Sequence, residues 1–462
     1  MFQKTLRSQP LTGMLSWIIE VLNKMIPAPP VQNFLDFDSA ASPEMASALH
    51  TWSQMYINQA PWLTADIRSL NLPAAIAAEL ARAVTIEMEV SITGSARADF
   101  LARQMSPVVD KLRLVTEYAA AKGGLMLKPY ISGRGITVDF VQADQFYPIA
   151  FDANGSLTAC VFSDTKVIGT HQFTRLEVHA LTPDGYRVTN SAFKSGANGR
   201  GIPVPLSSVP AWQELQPEAL ILHLDRPLFA YFRMPFANNI DPTSPLGVSC
   251  YARAVDLIEQ ADKQWSEFLW EFESAHRVLY TDPTAFQKDK NGLPILPNKR
   301  LYRTLDLNGR IDQPGLFQDW TPTIRESNLL HGLDAILKKI EFNCGLAQGT
   351  LSDPSAVTLT ATEIRISRQR TYATVVDIQK SLRIALDGLI YAMDIWTTLG
   401  QLAPRAAYTA LYHFDDSIVT DHDTQFAQDS QALTLGLMSK LEWRMRNYGE
   451  DPATAQKMLD LI

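Results

Sequence analysis

Residues 360–396 read TATEIRISRQRTYATVVDIQKSLRIALDGLIYAMDIW, and no other stretch constrains the fold as much. Val375, Ile378, Leu382, Ala385, Leu389, Ala392 and Trp396 recur at alternating spacings of three and four residues. A period of 3.6 puts all of them on one face, so the stretch is a long helix packed lengthwise on a partner. The loop ahead of it, GLAQGTLSDPSAVTL at 345–359, holds Gly345, Gly349 and an Asp353-Pro354-Ser355 turn, and reads as short-sided and mobile. Arg365, Arg368 and Arg370 stand before the seam with Glu363 to oppose them. They are either the solvated start of a core helix or a cationic edge presented to something anionic.

The chain ahead of this helix changes character several times. Residues 42–58 and 72–92 read as helices, with Pro43 and Pro73 where a first turn tolerates proline. Residues 98–122 continue as helix, broken or restarted by Pro107, and Gly123-Gly124 stops them. Short strands follow to about residue 189, with Gly133-Arg134-Gly135, Asn154-Gly155 and Pro183-Asp184-Gly185 as turns. The Gly-rich residues 195–201 lack a strand–turn–helix setting and read as a surface loop. A connector at 226–245 leads to an acidic helix at 248–275. A small β insert at 276–323 and a third helix at 325–343, with Lys338 and Lys339 near its end, come next. Helix, β module and helix suggest an antiparallel hairpin tipped by the module. Beyond Pro404 the pattern predicts a strand at 408–414 and a helix at 424–435. Ser439 and Glu442 form a capping box, and Asp451 caps a last helix from Pro452.

Bulk properties narrow the function classes. A formal charge of -8 over 462 residues is unlike a free-standing nucleic-acid binder, so any such contact must be local. Cys160, Cys250 and Cys344 are far apart, which argues against a zinc site or a disulfide framework and for a reducing compartment. The apolar run at 14–26 is interrupted by Glu20, Asn23 and Lys24, and reads as an amphipathic helix rather than a cleaved signal. No run of about 18 apolar residues calls for a membrane span. A P-loop, HExxH and GxSxG are all missing from the sequence. The scattered histidines have no ligand-spaced partners. Asp415, Asp416, Asp421, His422 and Asp423 are the best metal candidates, but their spacing does not fit an EF-hand and a solvated acidic loop is the plainer reading.

Four stretches, in order, carry a family resemblance. They are GGLMLKPYISGRGITVDFVQADQFYPIAFDANGSLTACVF, FAYFRMPFANNIDPTSPLGVSCYARAVDLIEQADKQWSEFLWEFE, NCGLAQGTLS with TLTATEIRISRQRTY, and FDDSIVTDHDTQ with LGLMSKLEWRMRNYGED. Together the chain resembles the portal proteins of tailed bacteriophages, of the siphophage type. The resemblance implies an α+β portal-type ring subunit with a helical stem, a small α/β clip, a mixed α/β wing, a long kinked tunnel helix and a helical crown. It implies a wing at 1–246, stem helices at 247–275 and 325–344, and a clip at 276–324. A tunnel loop at 345–359, a tunnel helix returning to the wing at 360–423, and a short crown at 424–462 complete it. The expected role is a channel at the portal vertex for packaging and ejecting double-stranded DNA without sequence specificity, with no enzymatic activity and no cofactor. The partners it implies are copies of itself in a ring, expected to be a dodecamer, the large terminase, a head-tail adaptor, and the major capsid and scaffold proteins, with no membrane. The location is the virion, and the host cytoplasm during assembly.

On that reading the DNA-channel candidates are Lys338, Lys339, Gly349, Thr350, Ser352, Asp353, Arg365, Arg368 and Arg370. The clip-interaction candidates are Lys288, Lys290, Lys299, Arg300 and Arg303. The opposite charge balances of the two stem helices suggest pairs between subunits, with Glu259 and Asp262 as test positions. The alternatives are another assembling virion protein, or a metal-dependent enzyme using the acidic loop. The crown is short for the family, and the residues before Ser42 match none of its parts.

Overall fold

The computed structural model describes residues 40–86, 88–195, 201–275, 278–281, 287, 302–304, 317–320, 323–353, 361–414, 422–448, 450 and 452–461. Other positions lie outside the described residues.

The chain is α+β. Helix α1 (Pro43–Tyr56) starts where expected, with the Ser42 hydroxyl accepting from the Met45 amide at 3.3 Å. Helix α2 (Leu72–Thr85) stops earlier than predicted, and residues 88–93 form strand β1 (Met88–Thr93). MEVSIT alternates at a period of two, and a partner strand far along the chain pairs with it. Helix α3 (Ala96–Val109) carries Pro107 within its last turn, and the Asp110 amide still reaches the Ser106 carbonyl at 3.1 Å. The break therefore comes after the proline, at 110–111, and α4 (Leu112–Lys122) follows.

Gly123 ends α4 at a φ of +85°. A Cβ on Gly247 would stand 2.0 Å from the Gly123 carbonyl oxygen, so the two backbones cross with no room for a side chain. The amides of Met234 and Cys250 donate to the carbonyls of Gly123 and Ala120 at 3.0 and 2.9 Å. Residues 248–254 are drawn into this crossing as buried turns. The acidic helix consequently starts seven residues later than predicted, as α5 (Val255–Ser274).

Two antiparallel sheets lie between these helices. Strands β2 (Gly124–Ser132) and β3 (Gly135–Gln142) join β10 (Ala230–Arg233) in the order β10-β2-β3. Strands β4 (Phe146–Phe151), β5 (Leu157–Ile168), β6 (His171–Thr182), β7 (Gly185–Ser195) and β8 (Gly201–Val204) form a meander, and β9 (Glu218–Ile221) also pairs with β7. An apolar layer containing Met126, Phe146, Phe162, Tyr186 and Phe229 joins the two sheets.

Helix α6 (Glu326–Cys344) runs antiparallel to α5. Arg325 meets Glu271, the Leu329 carbonyl meets Gln264, and Asn343 meets the Arg253 carbonyl. Strands β11 (Val278–Thr281), β12 (Tyr302–Thr304) and β13 (Phe317–Trp320) form a mixed sheet between the two helices, in the order β12-β11-β13.

Helix α7 (Ala361–Leu399) runs unbroken. Six of the seven seam residues are buried and Trp396 is partly so. Leu386, Ile390 and Met393 are buried as well, which widens the stripe, because α7 lies on β2 and β10 and against α2 and α3. The buried Arg97 guanidinium closes its C-terminal end. It donates to Asp394 Oδ1 at 2.7 Å, Thr398 Oγ1 at 2.6 Å and the Ala403 carbonyl at 2.8 Å, and also to the Asp394 carbonyl. Strand β14 (Thr409–Phe414) then pairs antiparallel with β1. Helices α8 (His422–Thr434), α9 (Lys440–Tyr448) and α10 (Pro452–Leu459) follow.

 The last of these, Pro452–Leu459, packs on α9, which also meets α8. The Ser439 hydroxyl accepts from the Glu442 amide at 3.1 Å, as the capping box predicts, whereas Asp451 lies outside the described residues.

Candidate nucleic-acid interface

The junction of α6 and α7 brings some of the sequence-predicted residues together and ties up others. Gly345 leaves α6 at a φ of +73°, and a Cβ there would stand 2.4 Å from the Thr374 hydroxyl of α7. The loop therefore starts pressed against the long helix. Its next residues fold back onto Glu341, a fully buried carboxylate. Glu341 Oε1 accepts from the amides of Leu351 and Ser352 at 2.6 and 2.8 Å, and the Ser352 hydroxyl reaches Oε2 at 2.9 Å. Ser352 Oγ in turn accepts from the Gly349 amide at 3.1 Å, and the Thr350 hydroxyl donates to the Ala347 carbonyl at 2.7 Å. The Asp353 amide donates to Asp334 at 2.9 Å.

The expectation of a mobile loop is corrected for residues 345–353. A buried carboxylate needs donors, and this loop supplies them from its own backbone. Gly349 and Thr350 lie on the turn, while Ser352 is buried and committed to Glu341. Residues 354–359 lie outside the described residues.

The cations divide in the same way. Lys338 forms an ion pair with Asp334 at 2.7 Å on its own helix. Burial pushes the Asp334 carboxyl up, but the hydrogen bonds from Lys338 and the Asp353 amide outweigh it, and the net shift is downward. Lys339 and Arg370 instead converge on Phe342, with Nζ 5.4 Å and the guanidinium 4.0 Å from the ring centroid. Phe342 is 53% exposed. Two cations on an exposed aromatic ring can meet an anion without a large desolvation cost, and phosphate contacts of that kind carry no base information. Phe342 was not among the candidates from sequence. Its signal was an aromatic residue off the Leu333, Ile340 and Cys344 stripe that α6 buries.

Arg365 and Arg368 lie in the first turns of α7 and Arg303 lies on β12, but their side chains are outside the described residues. So are Lys288, Lys290, Lys299 and Arg300, and the acidic residues Asp415, Asp416 and Asp421. His422 and Asp423 begin α8, again with side chains outside the described residues. Among the described residues, no group of three or more His, Cys, Asp or Glu is placed to hold a metal ion. No helix among them is long and apolar enough to cross a membrane.

Four acids of α5 have partners within the chain. Glu259 pairs with Lys263 at 2.5 Å, Glu271 with Arg325 at 2.8 Å, and Glu273 with Arg68 at 3.6 Å. Asp262 is buried and accepts from Trp62 Nε1 at 2.9 Å and the Leu70 amide at 2.8 Å. Burial raises its carboxyl pKa, and those two donors offset only part of the rise. The suggestion of pairing between subunits is corrected for Asp262, which is buried and satisfied within the chain; Glu259 is paired along its own helix and stays partly exposed. A cleft of 670 Å³ opens between residues 65–68 and α5, lined by Arg68, Lys263, Glu267, Trp270 and Glu273, and contains none of the predicted site residues.

No protein-family model matches the chain. No curated protein sequence matches it. A solved structure described as "Neck of native GTA particle computed with C12 symmetry" is similar over 94% of this chain and 98% of that chain, at 12% identity and a TM-score of 0.42. An overlap that loose carries no argument about function.

Proposed function

We infer that this chain is a structural subunit of a phage-like virion, and more specifically the ring-forming portal subunit through which double-stranded DNA passes. The observation that carries the reading is the uncovered apolar surface of the α5–α6 hairpin. Trp270 is 61% exposed, and Phe272 and Leu330 are exposed on the same two helices, while Glu259, Glu271 and Asp334 are paired within the chain. Two antiparallel helices bury one stripe each, and large aromatic side chains left outside need another surface. A neighbouring copy placed head to tail around an axis covers each hairpin and closes a ring.

In this reading Lys339, Phe342 and Arg370 face DNA phosphates as a repeated cationic belt, and local charge is multiplied by the number of copies. The β11–β13 module is the surface for the large terminase and later the head-tail adaptor. The α8–α10 helices face the capsid interior, with its major capsid and scaffold proteins. The chain itself hydrolyses nothing. Another assembling virion protein is the second reading, favoured by the same exposed hairpin.

Electron microscopy of the purified protein, with mass by light scattering, tests the reading. Rings of about a dozen copies are expected, with an axial hole of about 20 Å or more, enough for duplex DNA. Rings with a closed centre select the second reading. A monomer that persists when mixed with its capsid and scaffold proteins overturns both.

A further inference from the structure

A buried polar layer between the two sheets is not used by the reading above. Lys128 of β2 leaves its own sheet to meet Glu177 Oε2 on β6. Arg175 holds the same oxygen at 3.2 Å from along β6. Glu177 Oε1 faces His179 Nε2 at 2.8 Å, and His179 Nδ1 faces the Tyr186 hydroxyl of β7 at 2.6 Å. His179 is 2% exposed and Tyr186 is fully buried. The rings of Phe162 and Phe229 stand edge-on to the imidazole, at 5.2 and 6.2 Å between centroids. Cys160 of β5 lies opposite His179 in register, and Asp139 lies opposite Lys128 on β3.

The hydrogen bonds fix where the protons sit. An ionised Glu177 only accepts, so His179 Nε2 carries a proton and donates to it. Nδ1 of the neutral ring then accepts from the Tyr186 hydroxyl, whose oxygen also faces the Leu228 amide. In that state both ring nitrogens of His179 and the Tyr186 hydroxyl are paired.

A second proton on the ring undoes this. Nδ1 becomes a donor aimed at the Tyr186 oxygen, and the phenol proton loses its acceptor among aromatic rings and the Cys160 thiol. Glu177 would then face three cations: Arg175, His179 and Lys128. Lys128 is held by a single flexible stem from the other sheet and is the easiest of the three to displace.

We propose that Lys128, Glu177, His179 and Tyr186 form an acid-sensitive joint between the two sheets, whole while His179 is neutral and released at Lys128 when the ring gains its second proton. Burial lowers the His179 pKa, with Lys128 and Arg175 adding to the effect and Glu177 opposing it, so the release falls below the ordinary imidazole range. Burial would raise the Glu177 pKa, but its hydrogen bond from His179 and the charges of Lys128 and Arg175 prevail and hold it ionised.

Hydrogen exchange of the full-length protein between about pH 7.5 and about pH 5 tests this, after correction for the intrinsic exchange rate. The expected result is exchange about tenfold faster in β2 and β6 on acidification, before the rest of the chain responds. His179→Gln should abolish that step, and Lys128→Met should show faster exchange at both ends of the range. An identical pH response in His179→Gln overturns the proposal. If that variant does not fold, the imidazole carbon resonance of His179 in the unaltered protein decides the matter. A ring that titrates together with the β2 and β6 loosening supports the joint, and one that stays neutral until the whole chain unfolds overturns it.

Discussion

The body around α7 and the α5–α6 hairpin satisfy their side chains in opposite ways. In the body, the α7 seam is buried, and Arg97 donates into the end of the same helix. In the hairpin, Glu259, Glu271 and Asp334 are paired within the chain, while Trp270, Phe272 and Leu330 are left outside. The difference separates what folds the chain from what a neighbour can recognise. Polar pairs fix each helix against its own loops, and the surface left for another copy is apolar and shape-dependent. Exposed ion pairs are worth about 0–1 kcal/mol each, so the hairpin loses little by spending its charges internally.

The largest effect should come from the body. Gly247→Ala places a Cβ against the Gly123 carbonyl, where neither backbone can move, and should lower unfolding stability by about 3 kcal/mol or more in chemical denaturation. A near-neutral result would show that the crossing yields and that the body is no tighter than the hairpin. Glu341→Ala should cost roughly 2 kcal/mol, because it strands the Leu351 and Ser352 amides. Exchange at those two amides should rise first, and unchanged protection there would return the loop to the mobile class.

Trp270→Ser sharpens the contrast from the other side. Fold stability should change by no more than about 0.5 kcal/mol, while the assembled mass seen by light scattering should fall. Full assembly by this variant would remove the hairpin face as the recognition surface. The smallest effect concerns Glu271, whose carboxyl is held down by hydrogen bonds from Arg325, from the ordinary 4.5 to about 2. Its contribution is present above pH 4.5 and is lost as pH falls toward about 2. Arg325→Ala should flatten that part of an acid-unfolding curve and leave the neutral region nearly unchanged.

The sequence made periodic elements visible and hid whatever depends on distant partners. The α7 seam, the stop at Gly123 and the cap at Ser439 are local patterns, and each appears where expected. Strand β1 was missed because six alternating residues follow a good helix, and their pairing partner lies at 409–414. The late start of α5 has the same origin, since residues 248–254 are claimed by the end of α4. Acids on an amphipathic helix read as solvated, yet Asp262 is buried against Trp62, two hundred residues earlier in the chain. At the candidate interface, Arg370 was visible in the cationic patch. Phe342, the ring that gathers Lys339 and Arg370, depends on how two helices meet and left only a weak trace.

The long reach of residues 95–97 sets an order of events at the ribosome. Ser95 donates to the Ala407 carbonyl, and Arg97 holds residues 394–403, partners separated by 312 and about 300 positions. The strands from β2 to β9 can pair as soon as they emerge, because each finds its neighbour nearby. At about 5–20 residues per second, the first helices wait on the order of 15–60 s for the end of α7 and β14. During that interval the faces that α2 and α3 turn to α7 stand open, and a chaperone that shelters them would be occupied until β14 has been made.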